Sequence, residues 1–215
     1  MGFIFDFKTN TVTQPIVFHN SFDKLVDPKI FKQNVNICNV NNIIFFDLEP
    51  DDIVGQFCYR QLFIPNIREF SMIHVTKFLP TTSTAIMDEN NTNTYCYSTN
   101  VSYSDTINHF CFLYKKLDYP VIVAHNGFKF DFLLLIAHIY RYVKNPEEIV
   151  HRMKFYDSFV TVRSKYDKLK NIDLFMKFED KYSQYGYLKH KQHKSKEDSQ
   201  MLALWFNEYV RKLKN

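Results

Sequence analysis

Runs of consecutive apolar residues alternate with apolar residues spaced three or four apart, and this change of period divides the chain into strands and helices. The run over 43–46 suits a strand buried on both faces, and Pro50, which cannot donate to a sheet ladder, ends it. Residues 121–124 (Val, Ile, Val, Ala) predict a second buried strand, with His125-Asn126-Gly127 as the turn leaving it. Segments 55–64 and 70–79 read as strands of a meander. Met72, His74 and Thr76 alternate there with Ile73, Val75 and Lys77. Residues 81–94, rich in Thr and Asn, predict a polar loop. Three helices follow from three-four spacing: 104–117, with Ser102 or Ser104 as cap; 128–142, apolar over much of its circumference; and 196–213.

The resulting order, β-β-β-α-β-α-β-α-α, predicts an α/β domain with a mixed five-stranded sheet flanked by helices. A 215-residue chain can bury one substantial core, so residues 41–215 are expected to form a single domain. Residues 1–40 begin with Phe3-Ile4-Phe5 and continue through polar stretches and prolines. They predict a strand-like appendage packed on that domain.

Acidic residues stand where these apolar elements end. Side chains alternate along a strand, so Asp47 and Glu49 point the same way and Leu48 the other. Asp131 falls in the first turn of the 128–142 helix, just beyond the second buried strand. Asp198 lies four residues before Leu202 and seven before Trp205, on the apolar stripe of the last helix, with His193 just ahead of it. Carboxylates desolvated in one place repel one another unless a cation sits between them. Oxygen-only ligands favour Mg²⁺ or Mn²⁺ over zinc. Each piece also has a plain structural use. Ser195 and Asp198 have capping-box spacing, Asn126-Gly127 is a turn pair, and Asp131 complements a helix dipole.

In order and spacing these residues resemble the DEDDh 3′→5′ exonucleases, and within that group the three-prime repair exonucleases (the TREX family). The resemblance is carried by Phe45-Phe46-Asp47-Leu48-Glu49, by the ungapped Ala124-His125-Asn126-Gly127 through Asp131-Phe132, and by His193 with Asp198 five residues on. Phe155-Tyr156-Asp157-Ser158 is similar to the family's strand-end Asp-Ser. The similarity spans about residues 40–213 and implies the ribonuclease-H-like arrangement of sheet and helices. It also implies hydrolysis of DNA from its 3′ end to 5′-mononucleotides, with single-stranded ends preferred. Two Mg²⁺ ions, with Mn²⁺ as a substitute, would be held by Asp47, Glu49, Asp131 and Asp198, and His193 would act as general base. His125 and His190 are neighbouring imidazoles, the first better suited to shaping its turn. Substrate contacts would come from Ile53, Asn126, Lys194 and Lys196. The chain departs from the family pattern after Glu49, where Pro50-Asp51-Asp52 replaces a small residue and glycine. Related enzymes pair through an edge strand, which gives 70–79 as the expected contact in a homodimer. An RNA-directed exonuclease on the same site, and a catalytically dead module that binds nucleic acid or a protein partner, are the alternatives.

Charge and composition narrow the setting. The net charge is only +4, but Lys189, Lys191, Lys194 and Lys196 surround His193, and Arg163, Lys165, Lys168 and Lys170 form a second cluster. Lysines beside an acidic centre suggest a phosphate track leading to it. No apolar run approaches membrane-spanning length, and no secretory leader is evident. The four cysteines lack metal-ligand spacing and suit free thiols in a reducing compartment, cytoplasm or nucleus. Four glycines against 22 phenylalanines fit an AT-rich genome, such as that of a large DNA virus.

Overall fold

A computed structural model of the chain describes residues 2–6, 11–16, 35–50, 67–76, 78, 87, 92–98, 102–166 and 169–214. Strands β1 (Gly2–Asp6) and β2 (Thr11–Ile16) pair antiparallel as a two-stranded sheet, with a register shift between Ile4 and Phe5. The main sheet contains β3 (Ile43–Pro50), β4 (Ile67–Val75), β5 (Thr92–Ser98), β6 (Val121–Ala124) and β7 (Lys154–Asp157). Their spatial order is β5-β4-β3-β6-β7, with β3, β6 and β7 parallel and the β3–β4 and β4–β5 pairs antiparallel. Helices cover both faces, giving the α/β ribonuclease-H-like arrangement expected from the element order.

The alternation of β3 decides what each face receives. Ile44, Phe46 and Leu48 enter a core shared with α1 (Tyr103–Lys116) and α2 (Asp131–Tyr142). Ile43 and Phe45 enter the opposite core, built with α5 (Asn171–Lys177) and α6 (Ser195–Lys214). Asp47 and Glu49 continue the odd-numbered series and so emerge on the α6 side. Burying a Phe or Ile is worth about 1.5–3 kcal/mol, so a one-residue slip of β3 would forfeit several such contributions on each face. The direction of the two carboxylates is therefore fixed by the register of the strand.

Two short helices, α3 (Pro146–Val150) and α4 (Ser158–Val162), flank β7. Within residues 35–40, Ile37 is buried in the α6-side core, with Val35, Cys38 and Val40 packed against it.

Three expectations need correcting. The third strand of the meander is β5, which takes in Thr92, Asn93 and Thr94 from the expected loop. It is polar because it is an edge strand with one face toward solvent, while Tyr95 and Tyr97 pack on the core. For the same reason the 70–79 segment is not an edge: β4 lies between β3 and β5, and β5 ends the sheet among the described residues. The second helix starts at Asp131, because Gly127–Phe130 form turns in which the Phe130 and Phe132 N–H groups both donate to the Gly127 carbonyl. The strand expected at 55–64 lies outside the described residues.

Candidate metal centre

β3 is longer than its parallel neighbour. Its pairing with β6 covers only Ile43 to Phe45, whereas β4 follows it to Pro50. The last residues of β3 therefore project beyond the end of β6, at the carboxyl ends of the parallel strands, where α/β sheets open their ligand crevices. Asp131 fills part of the gap: its Oδ1 accepts the Leu48 N–H at 3.2 Å.

On the α6 side, Asp47, Glu49 and Asp198 each offer a carboxylate oxygen, and the three oxygens lie within 4.8 Å of one another. Asp47 Oδ2 is closed off from solvent and has no hydrogen-bond partner. Burial raises the Asp47 carboxyl well above the ordinary aspartate range, and the charges of Asp131, Asp198 and Glu49 add to it. Burial also raises Glu49 and pushes Asp198 up to about 6, the latter opposed by hydrogen bonds from the His193 and Lys194 N–H groups. Asp131 is pushed up to about 8 by burial, against the pull of the Leu48 N–H. An aspartate with one sealed oxygen that has no donor, grouped with two more acids, makes a site that a cation would relieve. All-oxygen donors suit a hard divalent ion such as Mg²⁺ or Mn²⁺.

The first turn of α6 sets Asp198. Its Oδ2 accepts the His193 N–H at 2.8 Å, and its own N–H donates to the Lys194 carbonyl. His193 adopts a left-handed backbone (φ 61°), which turns the chain sharply into the helix and leaves its side chain exposed beside the acids. Asn171 donates from Nδ2 to the Asp198 carbonyl at 2.9 Å and accepts the Trp205 indole N–H at 2.7 Å. A residue at the start of α5 thereby braces α6 at two points.

The turn after β6 is built on Asp157. Its carboxylate accepts the main-chain N–H groups of Asn126, Phe128 and Phe159, at 2.9, 3.0 and 2.9 Å. Burial still raises it to about 6. Asn126 sits in the left-handed region (φ 65°). His125 is half-buried, and desolvation pushes it down to about 4. Its Nε2–H donates to the Leu169 carbonyl and its Nδ1 meets Ser158 Oγ. A neutral imidazole with both nitrogens engaged shapes the turn and leaves proton transfer to another group.

A cavity of about 510 Å³ opens over the three acids. Asp47, Glu49, Asp198, His193, His125 and Asn126 line it together with Phe159, Leu169, Lys170, Asn171, Ile172 and Gln192. The sequence-predicted residues Asp47, Glu49, Asp198, His193 and Asn126 thus come together, and Asp131 joins them from behind Leu48 rather than within the close triad. Ile53 lies outside the described residues. Lys194 and Lys196 are exposed and do not line the cavity. Lys196 lies toward the β5 edge, where its charge lowers the thiol of Cys96 against the stronger effect of burial. Lys189 and Lys191 pair with Glu179 and Glu197, at 3.0 and 3.6 Å. Lys170 is the lysine of either cluster that reaches the cavity among the described residues.

The wall made by Phe159, Ile172 and Gln192 and the brace at Asn171 had no signal in the sequence, since each depends on how α4, α5 and α6 meet. No helix of the described residues is long and apolar enough to cross a membrane. No protein-family model matches the chain, and no curated protein matches it significantly.

Proposed function

We propose that the chain is a divalent-metal-dependent 3′→5′ exonuclease that removes nucleotides from the 3′ ends of DNA. The observation that carries this reading is the convergence of Asp47, Glu49 and Asp198 on one point, with Asp47 Oδ2 sealed and without a donor. Asp47, Glu49 and Asp198 would hold Mg²⁺, and Asp131 would hold a second ion or its water. When bound, such ions supply positive charge to the scissile phosphate and to the oxygens that attack and leave.

The remaining chemistry falls to the chain's own groups. The exposed His193 imidazole, beside Glu49 and Asp198, takes the proton of the attacking water. The His193 main-chain N–H keeps the Asp198 carboxylate turned toward Asp47 and Glu49. In the lining of the same cavity, Phe159 and Ile172 offer apolar surface for a terminal base, and Lys170 a charge for a phosphate.

Digestion of 5′-labelled single-stranded DNA and RNA tests the proposal. Stepwise shortening from the 3′ end with Mg²⁺, abolished by EDTA and by Asp198→Asn, is the expected result. DNA should be cut faster than RNA; the reverse order would redirect the proposal to RNA, because discrimination rests on the 2′-hydroxyl. No mononucleotide release with either substrate would overturn it and leave a binding module.

A further inference from the structure

Across the β3–β4 ladder, each acid of β3 faces a residue of β4 that holds α6. Asp47 is the register partner of Ser71, and Glu49 that of Glu69. Glu69 Oε1 accepts the Ser195 N–H at 3.1 Å. Ser71 Oγ donates to the Ser195 carbonyl at 2.6 Å and lies 2.7 Å from Ser199 Oγ. A hydroxyl has one proton, so Ser71 gives it to the carbonyl and receives the proton of Ser199. Two rungs of one ladder, separated only by Leu48–Phe70, therefore carry both the acids and the anchors of the helix that brings in Asp198.

Glu69 is an unexpected residue for this place. Like charges directly opposite one another on neighbouring strands destabilise a sheet, and Glu49 already faces a crowded acidic centre. Glu69 adds to the effects that raise both Asp47 and Glu49. What offsets this is the first turn of α6, whose N–H groups have no partner within the helix and whose dipole favours a carboxylate. Glu69 is not one of the three acids whose oxygens converge, and one of its oxygens is taken by the Ser195 N–H.

We propose that Glu69 is a positioning residue: through the Ser195 N–H it fixes the first turn of α6, and thereby the Asp198 carboxylate, opposite Asp47 and Glu49. The inference rests on the reading of this site as a metal centre. A glutamine keeps an oxygen that can accept the Ser195 N–H and loses only the charge, whereas alanine loses both, so the pair separates anchoring from ligation.

The test compares the full chain with Glu69→Gln and Glu69→Ala in three measurements: Mn²⁺ titration by electron paramagnetic resonance, amide hydrogen exchange over 193–199, and nucleotide release. Glu69→Ala should bind Mn²⁺ about tenfold more weakly, equivalent to about 1.4 kcal/mol. It should also exchange the 193–199 amides faster and lower kcat with KM for the oligonucleotide little changed. Glu69→Gln should stay within about twofold of the parent in affinity and exchange, since the hydrogen bond survives. If alanine does not fold, Glu69→Asp, one methylene shorter, replaces it. A glutamine variant as weak as alanine would make Glu69 a ligand or a charge and overturn the proposal, as would an alanine variant with unchanged exchange and affinity. A parent chain that binds Mn²⁺ and shows the expected exchange pattern but releases no nucleotides overturns the exonuclease reading while supporting the anchor. A parent that binds no Mn²⁺ overturns both.

Discussion

Asp131 Oδ1 accepts the main-chain N–H of Leu48 at 3.2 Å, tying the first residue of α2 to the strand that carries Asp47 and Glu49. The bond stands where β6 has ended and, among the described residues, no neighbouring strand remains on that side of β3. An acid that would serve a metal thus also completes the sheet, and the two duties can be separated by substitution.

Asp131→Asn keeps an oxygen for the Leu48 N–H, whereas Asp131→Ala leaves that buried N–H without an acceptor. The alanine variant should lose about 1–3 kcal/mol of stability, the usual cost of a buried unsatisfied group, and asparagine clearly less. Both should lose nucleotide release. Urea unfolding alongside the digestion assay checks the split; equal destabilisation by the two variants would contradict it.

The metal-free chain should become less stable as pH rises. Burial holds Asp131 up to about 8 and Asp198 up to about 6, and raises Asp47 well above its ordinary range. Unfolded aspartates titrate near 3.9, so between about pH 4 and those folded values the native state binds more protons than the unfolded one. Stability is then full below the unfolded pKa and is lost as pH rises through the folded values, first about 6 for Asp198 and then about 8 for Asp131. Mg²⁺ competes with these protons, so the stabilisation it gives should be larger at about pH 8 than at about pH 5. Thermal unfolding in EDTA and in Mg²⁺ measures both slopes, and Asp131→Asn should flatten the EDTA curve at its upper end.

Gly127 should not tolerate a side chain. A Cβ there would come within 2.6 and 2.7 Å of Phe132 Cζ and Cε2, and 2.8 Å of Ala124 Cβ. Phe132 is fully buried among core residues and cannot swing aside. Gly127→Ala should cost about 1–3 kcal/mol, the range for forcing extra atoms into a packed core. It should also displace Asn126 beside the cavity, so that activity falls even where the protein remains folded. Denaturant unfolding and digestion under stabilising conditions check the two effects separately.

The parts of this fold that were legible in the sequence are those whose burial is local and continuous. The 43–46 and 121–124 runs are buried on both faces, and Met201, Leu202, Trp205 and Phe206 all face inward from α6. That register alone aimed Asp47, Glu49 and Asp198 inward. The polar strand β5 was hidden because an edge strand needs only part of its residues apolar. The start of α2 was hidden because Phe128 and Phe130 extend the apolar run through a turn stabilised by Asp157, 29 residues from Phe128. Glu69 and Asn171 act through partners distant in sequence, and nothing in their own neighbourhoods distinguishes them from surface polar residues, whereas Lys170 was visible as a member of the second basic cluster.

His193 contributes two separable things, a ring and a main-chain N–H. The N–H holds Asp198 Oδ2 at 2.8 Å and survives any substitution except proline. The ring is exposed beside the cavity and holds no described hydrogen bond. Removing it should therefore leave Mn²⁺ affinity nearly unchanged and lower the rate of nucleotide release by roughly 10²–10⁴, the worth of a positioned base. Backbone strain provides a control. His193 has φ 61°, a region that costs a residue with a Cβ roughly 1–2 kcal/mol and glycine almost nothing. His193→Gly should then be more stable than His193→Ala, yet equally slow, because stability follows the backbone and rate follows the ring. Free imidazole added to the glycine variant should restore part of the rate, with a dependence on pH that follows deprotonation of the added base. If the more stable glycine variant instead recovered activity without imidazole, the ring would be a structural element of the turn, and the proton would have to leave through another group.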